Sequence, residues 1–180
     1  MSELLKKQNY GVEVEFTGIT RAMAAKAVAE VIGSTVTGPD HTCYHTRIIR
    51  DSQGRKWKIM RDSSIIPVRK TGNENMDEYR VEFVTPILKY DDLETLQAII
   101  RKFREIGGVP HASCGIHIHV DGANHTATSL RRLVASSRYI VKSYPDHVIT
   151  SCRNCRFSSG GRSNLLPFLD LSGSNDESDG

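Results

Sequence analysis

Two histidines and an aspartate alternate with branched apolar residues in the segment 115–121, and such side chains could bind a metal ion or a phosphate. Alternate side chains of a β-strand point to opposite faces, so His117, His119 and Asp121 would share one face. Neutral imidazoles and an ionised carboxylate offer lone pairs at a fixed spacing, as a metal site requires. Because a His-x-His motif is short, the polar outer face of a half-buried sheet explains these residues equally well.

Carboxylates follow the same alternation in two earlier segments. Glu13 and Glu15 alternate with apolar residues near the N-terminus, and Glu82 does so in the middle of the chain. Two carboxylates at positions i and i+2 of one strand face repel each other, and a third beside them increases the repulsion. A divalent cation would relieve that repulsion. The three acids and His117 therefore predict a metal site, with a solvated strand face as the alternative.

Size and composition indicate one globular domain. The 180 residues carry a net charge of +3, which is too small to favour nucleic acid as a partner but is compatible with an anionic substrate such as a nucleotide. No segment is long and apolar enough to span a membrane, and the N-terminus lacks the apolar region of a signal peptide. With four cysteines and no sign of secretion, we expect reduced thiols and a cytoplasmic location.

Hydrophobic periodicity predicts an α+β fold. We expect a twisted antiparallel sheet of about five strands, with helices packed on its apolar face and an open, concave polar face that holds the site. The predicted strands lie near residues 9–17, 44–50, 55–61, 79–86 and 114–121, and the predicted helices at 21–32, 93–106 and 126–143.

Several connections and caps are also predicted. Residues 34–42 and 70–77 have the composition of loops. Gly33 fits the C-terminal cap of the first helix, and Asp91 or Asp92 fits the N-terminal cap of the second.

Four motifs occur in the order found in a known family. They are YGVEVEF at 10–16, WKIMRDSS at 57–64, VEFVTPIL at 81–88 and CGIHIHVD at 114–121. Together they resemble the amidoligase family, a branch of the carboxylate–amine ligases that is related to glutamine synthetase and glutamate–cysteine ligase. The resemblance covers roughly residues 9–145 and implies a glutamine synthetase-like catalytic core.

The resemblance implies an ATP-dependent ligation. A small-molecule or peptide carboxylate would be phosphorylated by ATP to an acyl phosphate, which an amine then attacks to form an amide. Two or more Mg²⁺ or Mn²⁺ ions would neutralise the phosphate charge and align the transfer. Neither a nucleic acid nor a membrane is implied as a partner.

The resemblance also implies roles for single residues. Glu13 and Glu15 match the acidic pair on the first strand, each facing a different metal ion. Glu82 matches an acidic ligand on a middle strand, and His117 matches the metal-binding histidine.

Catalytic and nucleotide-binding roles follow from the same resemblance. His119 matches the histidine near the nucleotide phosphates, and Asp62 matches the acid after the tryptophan strand. Glu82, His119 and Asp62 are therefore the catalytic candidates. A role for Asp62 as a turn residue is as compatible with the sequence as a functional one.

The C-terminal part departs from the family pattern. Relatives carry a further strand with a Glu-x-Arg element that completes the metal site, and we find no such element here. Arg153, Arg156 and Arg162 could supply positive charge instead, and Arg153 is the candidate for nucleotide binding. We expect an amidoligase-like domain over residues 1–171 that lacks this C-terminal element, or a second chain that supplies it, and a disordered acidic tail over 172–180.

Other functions remain open. A His-x-His strand also occurs in metal-dependent oxygenases and hydrolases, and a ligase-like domain without turnover could bind a nucleotide or a protein partner. Cys152 and Cys155 form half of a zinc site whose other half is not evident. Trp57 is expected in the core, Cys114 as a packing residue and Asp121 in a turn.

Overall fold

The computed structural model describes residues 6–70, 72–123, 126–132 and 134–135, which form one antiparallel sheet with helices on one of its faces. The strands are β1 (Tyr10–Phe16), β2 (Val36–Thr37), β3 (Arg47–Arg50), β4 (Lys56–Met60), β5 (Val81–Val84) and β6 (Ile116–Val120). They lie in the order β2-β3-β4-β5-β1-β6. The chain forms helices α1 (Arg21–Ile32) and α2 (Leu93–Glu105), with 3-10 turns at Met76–Tyr79 and Tyr90–Asp92, and residues 127–132 and 134–135 are helical as well. No helix in the described ranges is long and apolar enough to cross a membrane.

The hydrophobic core lies between the sheet and the two helices. Phe83 of β5 stacks on Trp57 of β4, with ring centroids 6.0 Å apart, and meets Phe103 of α2 edge-on at 5.3 Å. Phe16 of β1 stacks on Phe103 at 4.7 Å. Trp57 is fully buried, which confirms its predicted place in the core. Because these side chains fill one face of the sheet, the alternate residues of each strand are turned to the open face.

Helix α1 begins and ends as its sequence predicts. The Thr20 hydroxyl accepts a hydrogen bond from the Met23 amide at 3.2 Å, and Gly33 ends the helix in the left-handed conformation with φ 68°. Three small or branched residues, Ala24, Ala25 and Val28, are buried against the sheet. The confirmed Gly33 cap reflects the ease with which glycine adopts positive φ.

Two of the predicted loops contain short regular elements. The predicted loop 34–42 contains β2, so the sheet has six strands rather than about five. Strand β2 has only two residues, both exposed, and it is held by pairing with β3 rather than by an apolar pattern of its own. The 3-10 turn at Met76–Tyr79 overlaps both the predicted loop 70–77 and the start of the strand predicted at 79–86. Asn75 caps this turn by accepting a hydrogen bond from the Asp77 amide.

The cap predicted for α2 is correct in position but not in chemistry. Asp92 directly precedes the helix, yet its carboxylate makes no capping bond to it. The carboxylate instead accepts from the Lys89 amide and from both terminal nitrogens of Arg55, each at 2.8 Å. Arg55, by this pairing, holds the pKa of Asp92 below its usual range. The guanidinium therefore ties the β3–β4 hairpin to the start of α2.

Strand β6 carries its apolar residues on the helix side of the sheet. Ile118 pairs with Val12 of β1, whose side chain is in the core. Nevertheless Ile116, Ile118 and Val120 are 56%, 67% and 48% exposed. Residues 127–132 and 134–135 are helical, which confirms the start of the helix predicted at 126–143, and the rest of that prediction lies outside the described residues.

Candidate metal centre

Strand pairing brings the predicted acids and imidazoles to one region of the open face. The central strand β1 places Glu13 directly opposite His117 of β6 and Glu15 directly opposite Glu82 of β5. Side chains directly opposite each other on antiparallel strands are near neighbours. The alternation that the sequence predicts thus yields one cluster spread over three adjacent strands.

The Glu13 carboxylate lies between the two imidazoles. Its Oε2 is 3.1 Å from Nδ1 of His117, and its Oε1 is 3.1 Å from Nε2 of His119. The other ring nitrogen of His117 lies 3.8 Å from Oε1 of Glu15. His117 therefore touches both acids of β1, and His119 approaches the more exposed one.

A compact group of three carboxylates lies beside this arrangement. Glu15, Asp62 and Glu82 each offer an oxygen, and these oxygens all lie within 4.8 Å of one another. The Glu15 side chain is only 9% exposed, and its Oε2 accepts a hydrogen bond from the Gly115 amide at 2.8 Å. Glu15 is thus fixed between strands β5 and β6, at the centre of the negative charge.

The electrostatic cost of this group is concentrated on Glu82. Burial, followed by the charges of Glu13, Asp62 and Glu15, raises the pKa of Glu82 to about 7, while His117 opposes the rise. A carboxylate that is desolvated by burial and lies near other negative charges binds a proton more tightly. A divalent cation in the same place would relieve the repulsion that the proton relieves here.

The loop that carries Asp62 is held against the sheet by contacts that the sequence did not predict. Asp62 forms a turn by accepting from the Ser64 amide at 2.7 Å, so the turn role predicted as an alternative is present together with its place in the cluster. Arg80 Nη1 donates to the carbonyl oxygens of Ser63 and Ile65. These bonds hold the backbone next to Asp62. Such a contact has no local sequence signal, because Arg80 lies more than a dozen residues away.

A second tether joins this loop to the segment that leads into β6. The Ile66 amide donates to Ser113 Oγ at 2.8 Å, and the same hydroxyl lies 2.9 Å from Nδ1 of His111. The loop of Asp62 and the histidine strand are therefore fixed relative to each other.

The remaining sequence candidates are not among the acids and imidazoles of the cluster, or they lie outside the described residues. Asp121 accepts hydrogen bonds from the Ala123 amide and the Asn9 side chain, in agreement with the predicted turn. Burial raises the pKa of the Cys114 thiol, which fits a packing residue better than a reactive one. Three further candidates lie outside the described residues: Arg153, Cys152 and Cys155.

The donor set fits a hard divalent ion. Four carboxylates and two imidazoles meet on one face, where burial and the neighbouring acids raise the pKa of Glu82. Carboxylate oxygens are preferred by Mg²⁺ and Mn²⁺, and imidazole adds a donor that Mn²⁺ accepts. Glu15 and Glu82 would be the closest ligands, with Glu13 and His117 beside them, and the charge of Asp62 would attract the same ion.

Asp62→Asn is expected to weaken Mn²⁺ binding about tenfold. Asparagine keeps an oxygen that can accept from the Ser64 amide, so the turn is retained and only the charge is lost. Mn²⁺ affinity is measured by isothermal titration calorimetry, with Asp91→Asn, an exposed aspartate of the 3-10 turn before α2, as the matched control. An unchanged affinity for Asp62→Asn would remove Asp62 from the metal centre.

Comparison with known proteins gives one match. A family model described as "Putative amidoligase enzyme" matches residues 6–144, which is most of the chain and includes all four motifs. No curated protein and no solved structure is significantly similar. The acid and imidazole cluster lies entirely within the matched region. The chain therefore belongs to this amidoligase family.

Proposed function

We propose that this chain is an ATP-dependent carboxylate–amine ligase. A substrate carboxylate oxygen attacks the γ-phosphorus of ATP, and ADP leaves with the electrons of the broken bond. The amine nitrogen then attacks the acyl carbon, phosphate leaves, and the amine loses a proton as the amide forms. The observation that carries the proposal is the convergence of Glu15, Asp62 and Glu82 beside Glu13 and the two histidines, inside the region that matches the family.

Each part of the cluster has a place in this reaction. Bound Mg²⁺ or Mn²⁺ would neutralise phosphate charge and help to align the transfer. Glu15, Glu82, Glu13 and His117 are the residues that would hold the ions. In the proposal, His119, which lies beside Glu13, donates a hydrogen bond to a phosphate oxygen.

Asp62 has a different position from the other acids, because it lies on a loop rather than on a strand. It can therefore face a substrate that approaches from the open side of the sheet. In the proposal, Asp62 accepts the proton of the attacking amine, and the Glu82 carboxylate stabilises the positive charge that develops on the amine nitrogen. The identities of the acid and the amine are left to a substrate screen.

ADP release in the presence of ATP and Mg²⁺ tests the proposed reaction. We expect release to be low with ATP alone and to rise when a mixture of amino acids supplies carboxylates and amines. Hydroxylamine, added in place of the amine, should capture the activated carboxylate as a hydroxamate. Glu82→Gln should lower turnover at least 100-fold, because it removes a charge at the centre of the cluster. The exposed Glu94→Gln of α2 serves as the control.

Thermal shifts separate the ligase from the other functions. A ligase or a nucleotide-binding domain is stabilised by ATP and Mg²⁺ together, since both bind the folded state. Stabilisation by ATP and Mg²⁺ without ADP release under any substrate mixture would indicate a nucleotide-binding domain. Stabilisation by Fe²⁺ alone, with no response to ATP, would contradict the ligase and favour an oxygenase.

A further inference from the structure

Two lysines of β4 lie on the open face, one strand away from the acid Glu82 of β5. Lys56 and Lys58 alternate with the buried residues Trp57 and Ile59 of β4, so their side chains are turned away from the core. They line an open hollow of about 520 Å³ with Thr85 and other residues of the segment after β5.

Strand register connects Lys58 directly to the acidic cluster. Lys58 pairs with Val84 of β5, Val84 pairs with Glu13 of β1, and Glu13 pairs with His117 of β6. These four residues form one row across the sheet. With neighbouring strands about 4.8 Å apart, Lys58 and Glu13 are separated by roughly 10 Å. One extended molecule on the open face could reach both.

The two lysines differ from most of the basic residues around them. Their ammonium groups make no hydrogen bond or ion pair within the part of the chain that the structure describes. By contrast, neighbouring Arg55 is bound to Asp51 and Asp92, and Arg61 is bound to Asp77. The lysines are therefore positive charges available for a ligand rather than parts of an internal network.

We infer that Lys56 and Lys58 form a binding site for an anionic group, a phosphate or a carboxylate, of the substrate whose other end lies at the metal centre. The inference rests on the proposed function, because a ligase of this kind binds both a polyphosphate and a carboxylate. Lysine ammonium groups bind such anions as strong, charge-assisted hydrogen-bond donors. The open face then has one region that attracts cations and another that attracts anions.

The test measures anion binding by calorimetry in the presence of Mg²⁺, with inorganic tripolyphosphate as the phosphate probe and glutarate as the carboxylate probe. Lys58→Gln is expected to weaken binding of one probe about tenfold, and Lys58→Arg is expected to retain most of it because the charge remains. The probe that is weakened identifies the group that the lysines bind. Lys26→Gln, which removes an exposed lysine from α1, is the matched control and should change neither affinity.

Mn²⁺ binding without an added anion should be unchanged in Lys58→Gln, which separates this site from the metal centre. The inference would be overturned if Lys58→Gln bound both probes as tightly as Lys26→Gln does. It would also be overturned if the wild-type protein bound neither probe. If the protein releases no ADP but binds an anion through Lys58, the result contradicts the proposed ligase activity and supports the anion site.

Discussion

Glu15→Gln is expected to lower the affinity for Mn²⁺ about 100-fold, which corresponds to about 2.7 kcal/mol. Glu15 is the acid that belongs to both parts of the cluster, because it lies within 4.8 Å of Asp62 and Glu82 oxygens and 3.8 Å from His117. Glutamine has nearly the same shape and still accepts from the Gly115 amide, so the loss is one of charge rather than of fold. Affinity is measured by calorimetry or by the electron paramagnetic resonance signal of free Mn²⁺.

The same substitution should act in the opposite direction on the metal-free protein. Removing the Glu15 charge lowers the repulsion on Glu82, so the melting temperature in EDTA should rise while Mn²⁺ binding is lost. Glu94→Gln, which changes an exposed glutamate of α2, controls for loss of a negative charge elsewhere. Wild-type Mn²⁺ affinity in Glu15→Gln would show that the acids do not hold the ion.

The metal-free protein should become less stable as the pH rises from 4.5 to about 7, because of Glu82. In the folded protein Glu82 keeps its proton up to a pH of about 7, whereas in the unfolded chain it loses the proton near 4.5. Between these values the folded state binds more protons, so the free energy of unfolding falls with pH. The fall attributable to this residue is about 2 kcal/mol, after a reduction for its partial exposure to solvent.

Urea unfolding of the wild type and Glu82→Gln in EDTA, at several pH values between 4.5 and 8, measures this contribution. The difference between the two proteins should grow by about 2 kcal/mol across the range, in favour of the variant at high pH. Saturating Mn²⁺ should abolish the wild-type decrease, since the ion replaces the proton as the balancing charge. If the difference in the free energy of unfolding between the two proteins is the same at all pH values, the raised pKa of Glu82 is contradicted.

The open face was predictable because the strand period of two is exact. Glu13 and Glu15 could only share a face, and the branched residues between them could only share the other. The family motifs then indicated which strands belong together, and the structure brings β5, β1 and β6 side by side as that requires. Trp57 and the Gly33 cap were predictable for similar local reasons.

Features that depend on distant partners were not predictable in this way. The position of Asp62 depends on hydrogen bonds that Arg80 and Ser113 make to the backbone of its loop. Neither bond leaves a sequence pattern near Asp62 itself. Strand β2 is too short to show any period. The Asp92 carboxylate follows the sequence rule for a helix cap but is bound by Arg55, because a bidentate ion pair is stronger than a capping bond.

The strand order also has a consequence for biosynthesis. The acid Glu13 and the imidazole His117 that faces it are separated by 104 positions, so the ribosome makes β1 long before its outer neighbour β6. A pairing of such long range is made late, because closing a large loop is entropically costly. The carboxylates of Glu15, Asp62 and Glu82 can therefore come together before β6 is made, and the imidazole of His117 is added to them only when β6 has paired with β1.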